Sequence, residues 1–241
     1  MNPQQSKAWQ ALGIGPALVS RSAVVTPAQQ AGQHSSDHQP VAVSVVDPTR
    51  LSWPELAEAV ISCEQCQRCT SRQNPVLGVG SNKPRWLVVG DTPDEQEDRA
   101  GELFAGPSGQ LLDAMLLAVG ANRHDHVFLA NALKCAAPQQ QRPQPDDVAK
   151  CRPYLRRQIE LLQPELILAA GDIAAQALLE TNTPVEQLRG RVHRIELDGR
   201  TVPVVVCLDP AHLLRQPEDK AGAWADLCLA RSVVAPAHAT T

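Results

Sequence analysis

The chain has 241 residues, of which 43% are hydrophobic, and carries a formal net charge of -4 at pH 7. Its length predicts one domain of ordinary size with an additional segment, and the apolar share is sufficient for a core. The charge excludes a protein that binds nucleic acid through an overall basic field, so any contact with DNA must use a local patch.

The chain shows no targeting or membrane signal. Its N-terminal segment lacks the basic start and apolar run of a secretory signal, and no apolar stretch approaches the roughly 20 residues of a membrane span. We therefore expect a cytoplasmic protein that makes no contact with membranes. Because seven cysteines are an odd number in such a chain, metal binding is favoured over a disulfide framework.

The N-terminal residues predict an amphipathic segment followed by a linker. Trp9, Leu12 and Ile14 fall on one side of a short helix. Residues 16–50 are rich in Ala, Gln, Ser, Val and Pro without sustained periodicity, which is typical of a flexible linker. Residues 1–15 therefore either dock in a partner's groove or fold back on the domain.

A folded domain is predicted over residues 51–234, with a disordered tail over 235–241. Its first helix begins at Ser52, where Ser52-x-x-Glu55 is a capping box, and this helix leads to Cys63. Strands and helices then alternate, which predicts an α/β fold with a largely parallel sheet. The order is strand 85–90, helix 111–119, strand 127–130, helix 146–162, strand 166–169, strands 192–197 and 201–208, and helix 218–231.

Single residues within these elements have predicted structural roles. Ser108 is expected to cap its helix, and Pro153 to interrupt the long helix around it. Asp198-Gly199 predicts a tight hairpin turn. Trp224 is expected on the inner face of the last helix.

Two cysteine pairs, Cys63-x2-Cys66 and Cys135-x15-Cys151, bracket the predicted core. A Cys-x2-Cys pair lets two sulfurs reach one ion from a single turn, and a second pair completes a site for zinc or an iron–sulfur cluster. The alternative is a set of scattered buried cysteines, since Cys behaves as a small hydrophobe. Three further cysteines are expected to belong to that class: Cys69, Cys207 and Cys228.

Polar residues follow three of the predicted strands: Asp91, Asn131 and Asp209. In open α/β sheets ligands bind beyond the carboxyl ends of the strands, so we expect these side chains to share a pocket. Each residue alone could be an ordinary loop cap. Phe104 lies in a glycine-bounded loop after the first strand, which suits a lid over a planar ligand as well as a surface anchor.

Six motifs follow one another in the chain: Cys63-x2-Cys66, Val88-Val89-Gly90-Asp-Thr-Pro93, Glu97-Asp98-x-x-Gly101, Phe104-Ala-Gly106-x-x-Gly109-Gln-Leu-Leu, Asn131-x-x-Lys134-Cys135 and Asp209-Pro-x-His-Leu-Leu-Arg215. In this order they resemble the family 4 uracil-DNA glycosylases, the iron–sulfur class. The resemblance implies a three-layer α/β/α fold with a mainly parallel central sheet and a 4Fe-4S cluster, although the spacing alone also permits zinc. It implies four cluster ligands: Cys63, Cys66, Cys135 and Cys151.

The resemblance also implies how uracil and DNA are recognised. A glycosylase extrudes the base, stacks it on an aromatic ring, reads its edge and stabilises the departing anion. Phe104 matches the stacking ring, and Asn131 matches the amide that reads uracil. Leu213, Leu214 and Arg215 match the loop that enters the duplex and holds a phosphate.

Both catalytic positions depart from the family pattern. The family's Gly-Glu-Ala/Gly-Pro-Gly is Gly90-Asp91-Thr92-Pro93-Asp94 in this chain, and the family's histidine is Asp209. A histidine donates a hydrogen bond to the departing base, whereas an ionised aspartate only accepts. We therefore expect weak or absent uracil excision from a site that has Asp91 and Asp209 in the catalytic positions.

The N-terminal segment resembles a second family. Trp9-Gln-Ala-Leu12-Gly13-Ile14, followed by a linker and a domain of this fold, is similar to the psi subunit of the bacterial DNA polymerase III clamp loader. This implies that Trp9, Leu12 and Ile14 bind clamp-loader subunits and that the domain binds a chi-like subunit. The hypotheses are thus a replication adaptor with a structural cluster, and an active uracil-DNA glycosylase of base-excision repair.

Basic residues near the hairpin and the last motif are candidates for a local DNA-binding patch. Around a solvent-facing ribbon, such residues either contact phosphates or are only solvated. The candidates are Arg189, Arg191, Arg194 and Arg215.

Overall fold

The computed structural model describes residues 47–136 and 141–234. The predicted partner-binding peptide, most of the predicted linker and the predicted tail lie outside these ranges. The domain begins earlier than expected, because Asp47 caps a short 3-10 helix, Pro48–Arg50, by accepting a hydrogen bond from Thr49 N–H at 3.0 Å. Pro48 is buried. The prediction of a linker as far as residue 50 is therefore wrong for its last residues.

A six-stranded sheet lies at the centre of the domain, with the strand order β1-β3-β2-β4-β6-β5. The four inner strands are parallel, and the two edge strands, β1 and β5, are antiparallel to their neighbours. The mainly parallel α/β/α fold is thus confirmed. The strands are β1 (Val79–Gly80), β2 (Trp86–Gly90), β3 (Val127–Asn131), β4 (Leu166–Ala170), β5 (Val192–Leu197) and β6 (Arg200–Cys207).

The helices of the described residues complete the layers. Every residue of β2, β3 and β4 is buried, as their apolar sequences require when helices cover both faces of the sheet. The helices are α1 (Trp53–Ile61), α2 (Glu95–Ala100), α3 (Pro107–Ala118), α4 (Pro145–Leu162), α5 (Asp172–Leu179), α6 (Val185–Leu188), α7 (Pro210–Arg215) and α8 (Lys220–Val233). None of them is long and apolar enough to cross a membrane.

Two local predictions are confirmed by hydrogen bonds and backbone angles. The capping box of α1 forms, since Ser52 N–H donates to Glu55 Oε2 at 2.8 Å. The hairpin between β5 and β6 turns at Asp198 and Gly199, whose φ angles of 48° and 75° are the left-handed values that such a turn requires.

Three predicted structural roles are wrong. Helix α3 begins after Gly106 with a proline in its first turn, so Ser108 lies inside the helix and does not cap it. Pro153 does not interrupt α4, which continues because its buried face, including Leu155, packs on the domain. Trp224 is 47% exposed, since the buried residues of α8 lie on its other side.

Candidate active site

Three polar residues converge on one cleft at the carboxyl edge of the sheet. Asp91 follows β2, Asn131 ends β3, and Asp209 lies beyond β6. All three line a cleft of about 840 Å³, within the range usual for small-molecule sites. Parallel strands bring their carboxyl ends to one edge of the sheet. The sequence predicts a shared pocket for these side chains because each one follows a parallel strand.

Gly90 lies between the ring of Phe104 and the side-chain amide of Asn131. A Cβ atom at this position would overlap Asn131 Oδ1 and lie 2.8 Å from Phe104 Cζ, so only glycine lets ring and amide approach. Asn131 is 2% exposed, yet no hydrogen bond among the described residues uses its side-chain amide. The amide donor and acceptor therefore remain available to a ligand in the cleft, beside an aromatic ring.

Glu97 holds the backbone of Phe104 in an uncommon conformation. Phe104 has a φ of 53°, and its N–H donates to Glu97 Oε1. The other carboxylate oxygen accepts from Asp94 N–H at 2.9 Å. Burial raises the pKa of Glu97 to about 7. Sequence analysis named Glu97 only within a motif, although Asp94-x-x-Glu97 has the same capping-box form as the start of α1.

Asp91 lies against the N-terminus of α5. Its Oδ1 accepts a hydrogen bond from Ala174 N–H at 2.8 Å. Burial raises the pKa of Asp91 to about 7, and the nearby Asp209 and Asp172 add to this increase. A carboxyl group with this pKa exchanges a proton readily at neutral pH, as a general base must.

Asp209 is the N-cap of α7, and its carboxylate is engaged by the backbone. Its Oδ1 accepts from Ala211 N–H at 2.7 Å and from His212 N–H at 3.2 Å. Burial raises the pKa of Asp209, and these two hydrogen bonds oppose that increase. The ring of His212 also lines the cleft, with its Nε2 atom 2.6 Å from Asp219 Oδ2.

Five cysteines line a second cavity, together with Arg72 and Lys134. All five are free thiols. The prediction that Cys69 is a scattered buried cysteine is wrong, since Cys69 is only partly buried and lines this cavity with the other four. Its spacing of three from Cys66 is the sequence signal for this position. Cys207 is buried as expected, but Cys228 is exposed. The cavity cysteines are Cys63, Cys66, Cys69, Cys135 and Cys151.

Comparisons with known proteins give the family. The sequence model of the family described as the uracil DNA glycosylase superfamily matches residues 77–229. A Type-4 uracil-DNA glycosylase of Archaeoglobus fulgidus is 35% identical over 171 residues, which are 69% of this chain and 85% of that protein. The chain belongs to the type-4 uracil-DNA glycosylase family. Proteins of the same name from Pyrobaculum aerophilum and Thermotoga maritima are 36% and 33% identical, covering 69% and 66% of this chain and 87% and 82% of theirs.

The type-4 family is the iron–sulfur class, and the donor chemistry of the cysteine cavity fits such a group. Arg72 Nη1 donates to Cys135 Sγ at 2.9 Å, which places a cation beside the thiols. Burial raises the pKa of Cys151 to about 12, so its proton is retained until a metal displaces it. The type of donor therefore fits the group, whereas within the described ranges no three or more His, Cys, Asp and Glu side chains have the geometry of a metal site in this conformation.

The predicted DNA-contacting loop of the type-4 family is in part a helix. Leu213 lies in α7 and is 1% exposed, so it belongs to the core and cannot enter a duplex in this conformation. A DNA contact of Leu213 would require α7 to move, and it stays a prediction. Leu214, at 43% exposure, and the exposed Arg215 remain available to DNA. Successive helical residues face different directions, which explains why neighbouring leucines differ.

Arg189 is partly buried and forms an ion pair, so it is not part of a free basic patch. Its Nε atom lies 2.6 Å from Asp226 Oδ2, and Asp226 is 2% exposed. Arg191 and Arg194 are exposed, although Arg191 Nη2 donates to Gln187 O at 3.0 Å.

We expect Arg189→Ala to lower the free energy of unfolding by about 3 kcal/mol, because it leaves the buried Asp226 carboxylate without its partner. Thermal unfolding measures this loss. Arg194→Ala is the matched control, since Arg194 is exposed, and its melting temperature should stay unchanged. A stable Arg189→Ala variant with weaker, less salt-dependent DNA binding would instead indicate a phosphate contact.

The predicted partner-binding residues Trp9, Leu12 and Ile14 lie outside the described residues. Their binding of clamp-loader and chi-like subunits stays a prediction. The type-4 relatives favour the glycosylase hypothesis over the adaptor hypothesis.

Proposed function

We propose that this protein excises uracil from DNA, at a slow rate. The observation that carries the proposal is the arrangement around Gly90, where the Phe104 ring and the unused Asn131 amide meet in one cleft. Uracil is planar and has a donor between two acceptors on its pairing edge, so an aromatic face and an amide complement it. The type-4 relatives, which carry the name of this activity, support the same reaction.

In this mechanism the extruded uracil stacks on Phe104 and is read by Asn131. The Asp91 carboxylate activates water or balances the positive charge that develops on the sugar as the glycosidic bond breaks. Asp209 offers no free donor to the departing base, since its carboxylate accepts from α7, and this makes the reaction slow. An iron–sulfur cluster held by Cys63, Cys66, Cys135 and Cys151 would cross-link the fold.

The test is an excision assay with oligonucleotides that differ only in one uracil or thymine. We expect abasic sites, detected by alkaline strand cleavage, in uracil-containing single and double strands but not in the thymine controls. Specific binding of uracil-containing DNA without abasic sites would indicate a recognition protein and would contradict the proposed reaction.

The excision rate should rise about tenfold between pH 6 and pH 8 and then level off. Asp91 has a pKa of about 7, so its active carboxylate form is the minor species below pH 7 and the major one above it. Glu97 titrates in the same range, and its ionised form holds Phe104, so it acts in the same direction. Single-turnover rates measure this profile.

The variant that tests this role of Asp91 is Asp91→Asn, which cannot ionise but keeps an acceptor for Ala174 N–H. It should lose most activity and flatten the pH profile. It should also raise the melting temperature at pH 8 more than at pH 4, because a raised pKa means that the ionised group destabilises the fold as pH rises toward 7. A wild-type rate that falls between pH 6 and pH 8 would contradict the role of Asp91.

A further inference from the structure

Arg68 connects the cysteine cavity to the catalytic turn. It is 4% exposed and lies in a 3-10 helix, Gln67–Thr70, directly after Cys66. Its Nε donates to Cys135 O at 3.1 Å, and its Nη2 donates to Thr92 Oγ1 at 2.7 Å. Thr92 Oγ1 in turn donates to Cys135 O at 3.2 Å. One buried guanidinium thus bridges the cysteine-bearing segments and the residue after Asp91.

Thr92 departs from the family pattern, which has alanine or glycine at this position. Its hydroxyl is therefore an acceptor for Arg68 that the family pattern does not provide. No sequence pattern indicates this contact, because Arg68 and Thr92 are 24 positions apart in the chain and no periodicity links them.

Lys134 makes a second connection between the same two sites. It is 2% exposed and lines the cysteine cavity. Its Nζ donates to the backbone carbonyl of Asn131 at 2.6 Å, directly behind the amide that faces the cleft. Over residues 47–136 and 141–234, neither Arg68 nor Lys134 forms a direct ion pair with a carboxylate. The charge of Asp147 acts on Arg68 without such a contact, and the cavity cysteines act on both cations. Buried cations need a compensating negative charge, and metal-bound thiolates in the cavity would supply it.

We propose that Arg68 and Lys134 are positioning residues that transmit the metal-bound state of the cysteine cavity to the uracil-binding site. The negative charge of the thiolates stabilises the two cations in their buried positions. The cations in turn fix the Asp91-Thr92 turn and the Asn131 backbone through their hydrogen bonds. Loss of the metal centre removes the thiolate charge beside both cations and loosens this edge of the sheet. The consequence for excision rests on the proposed function, whereas the consequence for the backbone does not.

Hydrogen exchange reports on this edge without any need for activity. Ala132 N–H donates to Gly90 O at 2.8 Å and Leu133 N–H donates to Asp91 O at 3.1 Å, so both amides are probes of the turn. The amides of the β5–β6 hairpin serve as a distant reference. The experiment compares the metal-loaded protein with protein depleted by chelation, and also measures the affinity of each for uracil-containing DNA.

The decisive variant is Thr92→Val, which keeps the side-chain shape but removes the hydroxyl. Thr92→Ser restores the hydroxyl. Thr70→Val is the matched control, because Thr70 Oγ1 is exposed and donates only to the nearby Gln67 O at 2.8 Å. Melting temperature and the visible absorbance of the cluster identify variants that fail to fold or load.

Depletion of the wild type should speed exchange at Ala132 and Leu133 about tenfold and weaken DNA binding by a similar factor, as expected for one charged buried hydrogen bond. Loaded Thr92→Val should already exchange faster than the loaded wild type, and depletion should add a smaller acceleration, because the Lys134 connection is still present in this variant. Thr92→Ser and Thr70→Val should match the wild type.

Equal acceleration in the β5–β6 hairpin would show that the metal only stabilises the whole fold, and would overturn the proposal. Wild-type behaviour of Thr92→Val in exchange and binding would overturn it as well. If exchange responds as expected while no variant excises uracil, the connection stands and the proposed function fails.

Discussion

Asn131→Ala is expected to reduce uracil excision by about 100- to 1,000-fold. The amide is buried at the base of the cleft and unused by the protein, so its hydrogen bonds go to the bound base. Truncation removes those bonds and leaves the donor and acceptors on the pairing edge of the desolvated uracil unpaired. Single-turnover rates on uracil-containing DNA measure the loss.

The control for this experiment is Asn122→Ala. Asn122 is exposed, and its side chain accepts only from the nearby His124 N–H at 2.9 Å. Its excision rate should stay within about twofold of the wild type, since surface changes away from the site have small effects. A similarly small effect for Asn131→Ala would mean that uracil is read by another group, and would remove the main support for the proposed function.

Asp209→His is expected to increase the excision rate by about 100-fold, because it supplies a donor to the departing base. The same change removes the N-cap of α7, so the free energy of unfolding should fall by about 1 kcal/mol. Activity and stability therefore move in opposite directions. Single-turnover kinetics and thermal unfolding measured on the same preparation test both.

Asp209→Asn distinguishes the effect of the negative charge of Asp209 from the effect of lacking a hydrogen-bond donor at this position. Asparagine caps helices as well as aspartate does, so the melting temperature should be retained. Its rate should lie between those of the wild type and Asp209→His, because the negative charge is removed but the amide stays bound to α7. An unchanged rate in Asp209→His would show that this position does not limit the reaction.

The sequence predicts the residues of the cleft well because strand ends are marked by short apolar runs. Asp91 and Asn131 follow such runs directly, and parallel pairing then fixes their common edge. The burial of Leu213, in contrast, is not evident from the sequence. Its burial depends on α7, and the Asp209-Pro210 cap and first-turn proline were the overlooked signals for that helix. The side on which Trp224 falls depends on what α8 packs against, which a helical period alone does not give.

The fixed backbone of Phe104 has a consequence for how the base is captured. The residue at position 109 must be glycine, because a Cβ atom at Gly109 would overlap the carbonyl of Phe104. Glu97 in addition accepts a hydrogen bond from the N–H of Phe104. The backbone that carries the aromatic ring is therefore fixed before DNA arrives, and little backbone freedom is lost when a base stacks on the ring. Capture is then governed by how often a nucleotide leaves its stack. Uracil should be taken fastest from unpaired strands, more slowly from mismatches with guanine and slowest from pairs with adenine.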